Sequence, residues 1–347
     1  MSEYGSSALY SREEQCLSVD LSVWTGRNDP EDGELGLRFH NKVKSAEESS
    51  SHPGVMLLGF ACDEGVARNK GRVGAYGGPI GVRKALANMA WHHGNGYVYD
   101  GGDICCDDQD LVRAQRVLAE SITQALDQHH FPVVIGGGHE IAWASFQGLA
   151  NHLEQEGFSS KIPRIGIINF DAHYDLRTPS GASAHGSSGT PFAQMAEYCH
   201  KHKWPFEYAC LGVSRTSNTK ALFDKAESLS VLTIEDVDFT SSNLPDIKYK
   251  VEAFIARCDY LYLTIDLDVS PAAVAPGVSA PAAHGISYPM VEAILPIILT
   301  ARQSNGDRKL CMADVAEFNP IFDTDGHTAR LAARLIWTIT RSVLGTA

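Results

Sequence analysis

The sequence of 347 residues contains no apolar run that approaches the length of a membrane-spanning helix. Its N-terminus also lacks the basic and apolar regions of a secretion signal, so we expect a cytoplasmic protein. Positive charge is scarce: 29 Lys and Arg stand against 42 Asp and Glu, which gives a net charge of −13. Because nucleic acids and anionic membranes are bound by clustered Lys and Arg, we expect neither as a partner.

Cysteine is present, but the missing secretion signal predicts that the eight cysteines are reduced thiols. Cys105 and Cys106 are adjacent in the sequence. Four others lie in or beside apolar runs: Cys62, Cys210, Cys258 and Cys311. Since buried thiols of this kind are usually inert, we assign them no chemistry.

Short apolar runs alternate with amphipathic helical patterns along most of the chain, and this alternation predicts an α/β fold. Strands are expected at 55–61, 97–104, 131–135, 165–170, 208–213, 231–234, 260–265 and 309–315. The expected architecture is a doubly wound, mostly parallel sheet of about eight strands with helices on both faces. The length and the hydrophobic content of 44% fit a single catalytic domain at 51–347, with a polar N-terminal extension at 1–50 that packs on it.

The segment I-I-N-F-D-A-H-Y-D-L-R, residues 167–177, ends a predicted strand in three potential metal ligands. Asp171, His173 and Asp175 occupy alternate positions directly after the apolar run. Because alternate residues of an extended chain face the same side, their donor atoms gather where the strand ends. This segment therefore predicts half of a metal site.

Two other predicted strands also end in potential ligands. One leads into G-G-G-H-E, which contains His139, and the other leads into D-L-D, which contains Asp266 and Asp268. Four Asp and two His without Cys suit Mn²⁺ or another divalent ion better than structural zinc. Because clustered carboxylates repel one another, we predict two divalent cations that offset their charge. Taken singly, D-x-D could instead cap a following element, and the glycines could simply turn the strand.

The three motifs, in this order, resemble those of the arginase, agmatinase and formimidoylglutamase family of binuclear manganese hydrolases. The resemblance implies an arginase-like fold, two Mn²⁺ per chain, a small-molecule substrate and, in many members, a homo-oligomer. By this resemblance one ion and its neighbour are held by His139, Asp171, Asp175 and Asp266. His173 and Asp268 complete the second site, and Asp175 and Asp266 bridge the two ions.

Further segments resemble family positions around the substrate. Glu317, in A-D-V-A-E-F-N-P, matches the carboxylate that pairs with a cationic substrate. His185 lies in a Gly/Ser-rich loop and matches a proton shuttle, which gives a predicted catalytic set of His185, Glu317 and Asp175. Glu317 and His185 could also be loop residues without these roles. The loop D-E-G-V-A-R-N-K-G-R-V-G-A is expected at the rim of the substrate pocket and contains Arg68, Asn69 and Arg72.

Arg177 follows Asp175 by two residues and indicates one branch of the family. Formimidoylglutamases resemble D-A-H-x-D-x-R, and the segment W-T-G-R-N-D at Trp24 is similar to theirs too. A guanidinium here would bind a substrate carboxylate and repel a purely cationic tail, and Arg72 or Arg68 could meet a second carboxylate. The resemblance therefore implies hydrolysis of N-formimino-L-glutamate to L-glutamate and formamide, a step in histidine degradation.

Other functions are left open by the sequence. The chain could be an arginase, an agmatinase or another guanidino-acid ureohydrolase, in which case Arg177 is dispensable. It could also be a metal-free regulatory relative without catalytic activity, although all six ligand positions are filled. Arg177 itself could pair with a carboxylate of the protein rather than with one of the substrate.

Overall fold

One ten-stranded β-sheet organises the computed structural model, which describes residues 17–18, 20–156, 162–181 and 184–345. Its strands are β1 (Leu17–Ser18), β2 (Val43–Ser45), β3 (Val55–Ala61), β4 (Val98–Cys105), β5 (Phe131–Ile135), β6 (Ile165–Phe170), β7 (Glu207–Val213), β8 (Leu232–Glu235), β9 (Tyr260–Asp266) and β10 (Leu310–Ala316). The strand order is β1-β4-β3-β5-β10-β9-β6-β7-β8, and β2 also pairs with β4. The pairing of β1 with β4 is antiparallel, and the other pairs are parallel.

Helices connect these strands and cover both faces of the sheet. They are α1 (Glu64–Arg68), α2 (Gly78–Ala87), α3 (Leu111–Asp127), α4 (Ile141–Glu156), α5 (Pro191–His202), α6 (Lys220–Ser228), α7 (Leu244–Ala256), α8 (Tyr288–Leu299) and α9 (His327–Leu344). Helices α2, α7, α8 and α9 contribute to the core on one face, and α3 to α6 contribute to the core on the other. In the described part of the chain, no helix is both long and apolar enough to cross a membrane.

The central strands are continuous apolar runs because both of their faces are buried. In β3, Leu57 packs into one core, while its neighbours Met56 and Leu58 pack into the other. The same alternation occurs in β5, where Val133 and Val134 belong to opposite faces. A two-sided core of this kind explains why these strands lack the polar alternation of a half-exposed sheet.

All eight predicted strands are present, and the predicted doubly wound, mostly parallel architecture is confirmed. The prediction missed β1 and β2, which contain only two and three residues and add to the edge at β4. Trp24 anchors the N-terminal segment there, since its Nε1 donates a buried hydrogen bond of 2.7 Å to Asp100 Oδ2. The proposed division between an extension at 1–50 and a domain at 51–347 stays a prediction, and residues 1–16 lie outside the described residues.

The four strands at the centre of the sheet, β5, β10, β9 and β6, position the predicted site. They run parallel, and the register places Ala316 beside Asp266 and Phe170 beside Ile265. Their carboxyl ends therefore meet at one edge, where ligands commonly bind in open α/β sheets. The segments that follow these strand ends carry the predicted ligands and Glu317.

Candidate active site

The six predicted metal ligands lie together at the carboxyl edge of the sheet. They form two groups of donor atoms, and within each group all atoms lie within 4.8 Å of one another. The first group is His139, Asp171, Asp175 and Asp266, and the second is Asp171, His173 and Asp268. Asp171 is the carboxylate common to both groups. The expectation that Asp175 and Asp266 bridge two ions stays a prediction; in this grouping each of them belongs to the first group alone.

His139 is the centre of the first group. Its Nδ1 lies 3.1 Å from Asp171 Oδ2, 3.1 Å from Asp175 Oδ2 and 3.2 Å from Asp266 Oδ2. Its Nε2 lies 2.9 Å from Thr264 Oγ1. The Thr264 hydroxyl oxygen can accept the Nε2 hydrogen, and in that tautomer the Nδ1 lone pair is free to bind a cation.

The second group is held by backbone amides as well as by side chains. His173 Nδ1 lies 3.0 Å from Asp268 Oδ2 and 3.5 Å from Asp171 Oδ1. The His173 amide donates to Asp171 Oδ1 at 2.6 Å, and the Ala172 amide donates to Asp268 Oδ1 at 3.3 Å. These amide contacts fix the carboxylates in place before any ligand binds.

The glycines before His139 allow its loop to pass close to neighbouring backbone. A Cβ on Gly137 would lie 1.8 Å from the carbonyl oxygen of Cys62, a distance that no side chain can occupy. The Gly137 amide donates to the carbonyl of Phe60 at 2.8 Å. The glycines therefore do more than turn the strand, because they bring His139 against the end of β3.

The carboxylates of the centre repel one another in a buried environment. Burial, with the charges of Asp268 and Asp171, raises the pKa of Asp266 well above its usual range. Burial and the Asp171 charge raise the pKa of Asp175 to about 6. Burial also acts on Asp171, but hydrogen bonds from His139 and His173 outweigh it and lower the pKa of this carboxyl. Divalent cations would offset this charge, so the donor set fits a metal centre.

Glu317 lies beside these ligands in an uncommon backbone conformation. Its φ of 67° is left-handed, and its side chain is buried with a relative exposure of 2%. Oε1 accepts a hydrogen bond of 2.8 Å from the His139 amide, whereas Oε2 is buried without a hydrogen-bond partner among the described residues. Burial is the main reason that the pKa of Glu317 is raised to about 7.

A cavity of about 1090 Å³ opens above the metal centre and Glu317. Its floor includes His173, Asp175, Asp266, Asp268 and Glu317, all of which sit at strand ends. Its walls include the other four predicted substrate-binding residues: Arg68, Asn69, Arg72 and Arg177. The structure thus brings an acidic floor and several basic side chains into one cavity.

Arg68 and Arg72 line this cavity, but their guanidinium groups are already engaged by the protein. Arg68 pairs with Glu64 at 2.8 Å and donates to the carbonyl of Gln109 at 3.1 Å. Arg72 Nη2 donates to the carbonyl of Val278 at 2.5 Å, and its guanidinium stacks on Phe322. These contacts indicate that both arginines hold loops together, which weakens the expectation that either meets a substrate carboxylate.

Arg177 and Asn69 face the cavity from adjoining loops. The Arg177 amide donates to the carbonyl of Gly189 at 2.9 Å, while its exposed guanidinium has no carboxylate partner among the described residues. The alternative of a protein salt bridge at Arg177 therefore has no support in the described part of the chain. Asn69 Nδ2 donates to Ser188 Oγ at 3.2 Å, which ties the glycine-rich loop to the loop after Arg177.

His185 does not lie at the metal centre. It is exposed, and it lines a separate hollow of about 600 Å³ together with side chains of α3 and α5. Residues 182–183, directly before it, lie outside the described residues. In this geometry its predicted role as a proton shuttle has no support.

Sequence reasoning missed two polar residues that contact the predicted ligands. Thr264 precedes Asp266 by two positions and contacts His139. Asn169 precedes Asp171 by two positions, and its Nδ2 donates to Asp171 Oδ2 at 2.9 Å. The signal was present in both cases, because each is a polar residue in an apolar strand on the same face as the ligand. Glu140 was also missed; its Oε1 accepts a hydrogen bond of 2.9 Å from the Gly65 amide.

Comparison with known proteins agrees with this fold and site. The model of the arginase family matches residues 53–341. The chain is 54% identical to a formimidoylglutamase of Photobacterium profundum, a match that covers 94% of this chain and 96% of that protein. Its structure is similar to that of a formimidoylglutamase from Bacillus subtilis, with a TM-score of 0.76, 20% identity and coverage of 92% of this chain and 94% of that one. It is also similar to a formiminoglutamase from Trypanosoma cruzi with Mn²⁺, with a TM-score of 0.72, 22% identity and coverage of 85% and 95%.

The fold and the site define an α/β protein with a cluster of His and Asp side chains at the carboxyl edge of its sheet that could hold metal ions. The chain belongs to the arginase family, which confirms the resemblance drawn from its three motifs. Within that family, the chain is similar to a formimidoylglutamase over nearly the whole length of both proteins.

Proposed function

We propose that this protein hydrolyses N-formimino-L-glutamate to L-glutamate and formamide, and that it binds two Mn²⁺ per chain. The observation that carries the proposal is the charge pattern of one cavity. Its floor offers the unpartnered Oε2 of Glu317 to an amidinium, and its wall offers the unpaired guanidinium of Arg177 to a carboxylate. N-formimino-L-glutamate carries one amidine and two carboxylates, and so matches both parts of this pattern.

Two observations support the choice of Mn²⁺: the chemistry of the donor atoms and the metal of a similar structure. The donors are carboxylate oxygens and imidazole nitrogens, which suit Mn²⁺ among the divalent ions. The similar structure from Trypanosoma cruzi is that of a formiminoglutamase with Mn²⁺. Divalent ions held by these residues would lower the pKa of a bound water towards neutrality.

The residues of the chain position the substrate for attack by water. Glu317 Oε2 accepts hydrogen bonds from the amidinium nitrogens and turns the formimino carbon towards the metal centre. Arg177 binds a carboxylate of the substrate and fixes its second end. Water adds to the formimino carbon, and the bond from that carbon to the glutamate nitrogen breaks. The nitrogen takes up a proton, so that the products are glutamate and formamide.

Arginine and agmatine carry a related cation, the guanidinium, but arginine has only one carboxylate and agmatine has none. In a complex with agmatine, the guanidinium of Arg177 would have no anionic partner, because the tail of that substrate is cationic. The proposed substrate satisfies both the floor and the wall of the cavity. We propose further that the protein acts in the cytoplasm on this small molecule; assembly into a homo-oligomer is compatible with the proposal.

The test is a substrate panel with the Mn²⁺-loaded protein. Release of L-glutamate and formamide from N-formimino-L-glutamate is measured beside urea release from arginine, agmatine and guanidino acids. Asp268→Ala serves as the control, and circular dichroism confirms that it folds. The proposal predicts turnover of the formimino compound alone and its loss in Asp268→Ala. Urea release without turnover of the formimino compound would overturn the substrate, and full activity of Asp268→Ala would overturn the metal centre.

A further inference from the structure

The cavity contains more positive charge than one substrate carboxylate requires. Five basic side chains line it: Arg68, Lys70, Arg72, Arg177 and Lys225. Arg68 and Arg72 are engaged in contacts within the protein, as described above. The remaining three have no carboxylate partner among the described residues. If the cavity binds N-formimino-L-glutamate, Arg177 accounts for one substrate carboxylate and leaves the second to be assigned.

Lys225 is held in position at this cavity. It belongs to α6, and Ala221 and Leu222 of the same helix also line the cavity, so this side of the helix faces the site. Lys225 Nζ donates a hydrogen bond of 3.1 Å to Thr178 Oγ1. Thr178 directly follows Arg177 in the chain. The hydrogen bond to Thr178 therefore places Lys225 beside the segment that carries Arg177, and both residues line the cavity.

Lys225 is more restrained than Lys70, the other unpaired lysine. Its side chain is half-buried, and burial lowers the pKa of its ammonium. Lys70 is exposed in a left-handed conformation on the glycine-rich loop, and it makes no side-chain hydrogen bond with the described residues. A half-buried cation without a carboxylate gains most when a ligand supplies the missing negative charge.

The two carboxylates of the substrate differ in their distance from the reacting carbon. The α-carboxylate is attached to the carbon that bears the formimino nitrogen, whereas the γ-carboxylate is two methylene groups further away. Arg177 is two residues from the metal ligand Asp175, and it lies nearer to that ligand along the chain than Thr178 does. Lys225 reaches the cavity from α6 and contacts Thr178, which is one residue further along the chain from Asp175 than Arg177 is.

We propose that Lys225 binds the γ-carboxylate of the substrate and thereby selects a dicarboxylate, while Arg177 binds the α-carboxylate. This inference rests on the proposed function. Lys225 acts on a part of the substrate that does not change during the reaction. Its interaction should therefore be equal in the ground state and the transition state, and its loss should raise KM with little effect on kcat.

The experiment compares Lys225→Met with the wild type on two substrates, N-formimino-L-glutamate and its γ-amide N-formimino-L-glutamine. We expect Lys225→Met to raise KM for the first at least 10-fold, with kcat within 3-fold, and to change KM for the γ-amide less than 2-fold. Lys225→Arg should keep the preference for the γ-carboxylate. Lys220→Met is the matched control, because Lys220 lies on the same helix but pairs with Asp224 at 2.7 Å outside the cavity.

Two results would overturn the inference about Lys225. One is a wild-type KM for N-formimino-L-glutamate in Lys225→Met, and the other is an equal rise of KM for both substrates. Calorimetric binding of L-glutamate and L-glutamine to the Mn²⁺-loaded protein separates this inference from the proposed function. If the wild type turns over neither formimino compound, the proposed function fails. The inference then stands if L-glutamate binds more tightly than L-glutamine and Lys225→Met abolishes the difference, and it fails otherwise.

Discussion

Glu317 and His139 are joined by a hydrogen bond of 2.8 Å from the His139 amide to Glu317 Oε1. This bond connects the carboxylate proposed to bind the substrate to the loop that supplies a metal ligand. The other oxygen of Glu317 is buried without a partner among the described residues and borders the cavity. Glu317 thus contacts the loop of His139 through its Oε1, and its Oε2 is available to a cationic ligand.

Replacement of Glu317 by Gln tests this arrangement. The amide oxygen of Gln can still accept from His139, but the charge that pairs with the amidinium is lost. We expect kcat/KM for N-formimino-L-glutamate to fall by a factor on the order of 100, or about 3 kcal/mol of transition-state stabilisation. Glu292→Gln is the control, because Glu292 forms an exposed pair with Arg334. A wild-type kcat/KM in Glu317→Gln would refute the role of this residue.

The contact between Thr264 and His139 predicts an effect on metal affinity. Thr264→Val keeps the shape of the side chain but removes the acceptor for His139 Nε2. Loss of such a supporting contact typically weakens metal binding 10- to 100-fold, and we expect a change of this size. The dissociation constant of Mn²⁺ from the variant measures it, with the exposed Thr300→Val as the control. An unchanged Mn²⁺ affinity would show that Thr264 does not orient the ligand.

The buried ion pair of Arg83 and Asp100 predicts a large effect on stability. Arg83 Nη2 lies 2.8 Å from Asp100 Oδ1, and both side chains are almost fully buried. Asp100→Ala leaves the guanidinium with Asp103 and the Gly102 carbonyl as its remaining partners, and it also removes the acceptor of Trp24 Nε1. We expect the free energy of unfolding to fall by about 3–5 kcal/mol. Urea denaturation measures the change, and a loss below that of the exposed pair variant Glu292→Ala would contradict it.

His93 predicts that the protein becomes less stable in acid. Burial lowers the pKa of His93 to about 4, and its Nδ1 has no hydrogen-bond partner among the described residues. Between an ordinary pKa of about 6.5 and this value, the unfolded chain binds a proton that the folded chain does not. The free energy of unfolding should therefore fall as the pH decreases from about 6.5 to 4, by an amount on the order of 1–3 kcal/mol from this group.

Denaturation at several pH values checks the contribution of His93. His93→Gln should show a shallower decrease of the unfolding free energy over that pH interval. His92→Gln is the matched control, because His92 is the adjacent residue and is exposed. Equal slopes for His93→Gln and the wild type would assign the acid sensitivity to other groups.

The clustering of the six predicted ligands and the sheet could be predicted from sequence because both depend on local patterns. Each strand with its ligands is one continuous segment, and the α/β alternation brings the strand ends to one edge. The contribution of Lys225 was not predictable in this way. It lies about fifty residues beyond Arg177 on a helix of ordinary composition, and only the packing of α6 brings it to Thr178.

The predicted roles of Arg68, Arg72 and His185 show what a sequence motif does not reveal. A motif tells which residues lie on a loop, but it does not tell which backbone carbonyls those residues meet. Arg72 is directed to the loop at Val278, more than two hundred residues away in the chain. His185 is only ten residues from Asp175, yet its loop carries it away from the cavity. These placements depend on tertiary contacts that no local pattern contains.

The most direct test of the account is a competition in a single reaction. The Mn²⁺-loaded protein is mixed with equal concentrations of N-formimino-L-glutamate, arginine and agmatine, and the products are followed by carbon NMR. The account predicts that formamide and L-glutamate accumulate while arginine and agmatine stay intact. Accumulation of urea, with N-formimino-L-glutamate unchanged, would contradict the assignment of the cavity to a dicarboxylate amidine.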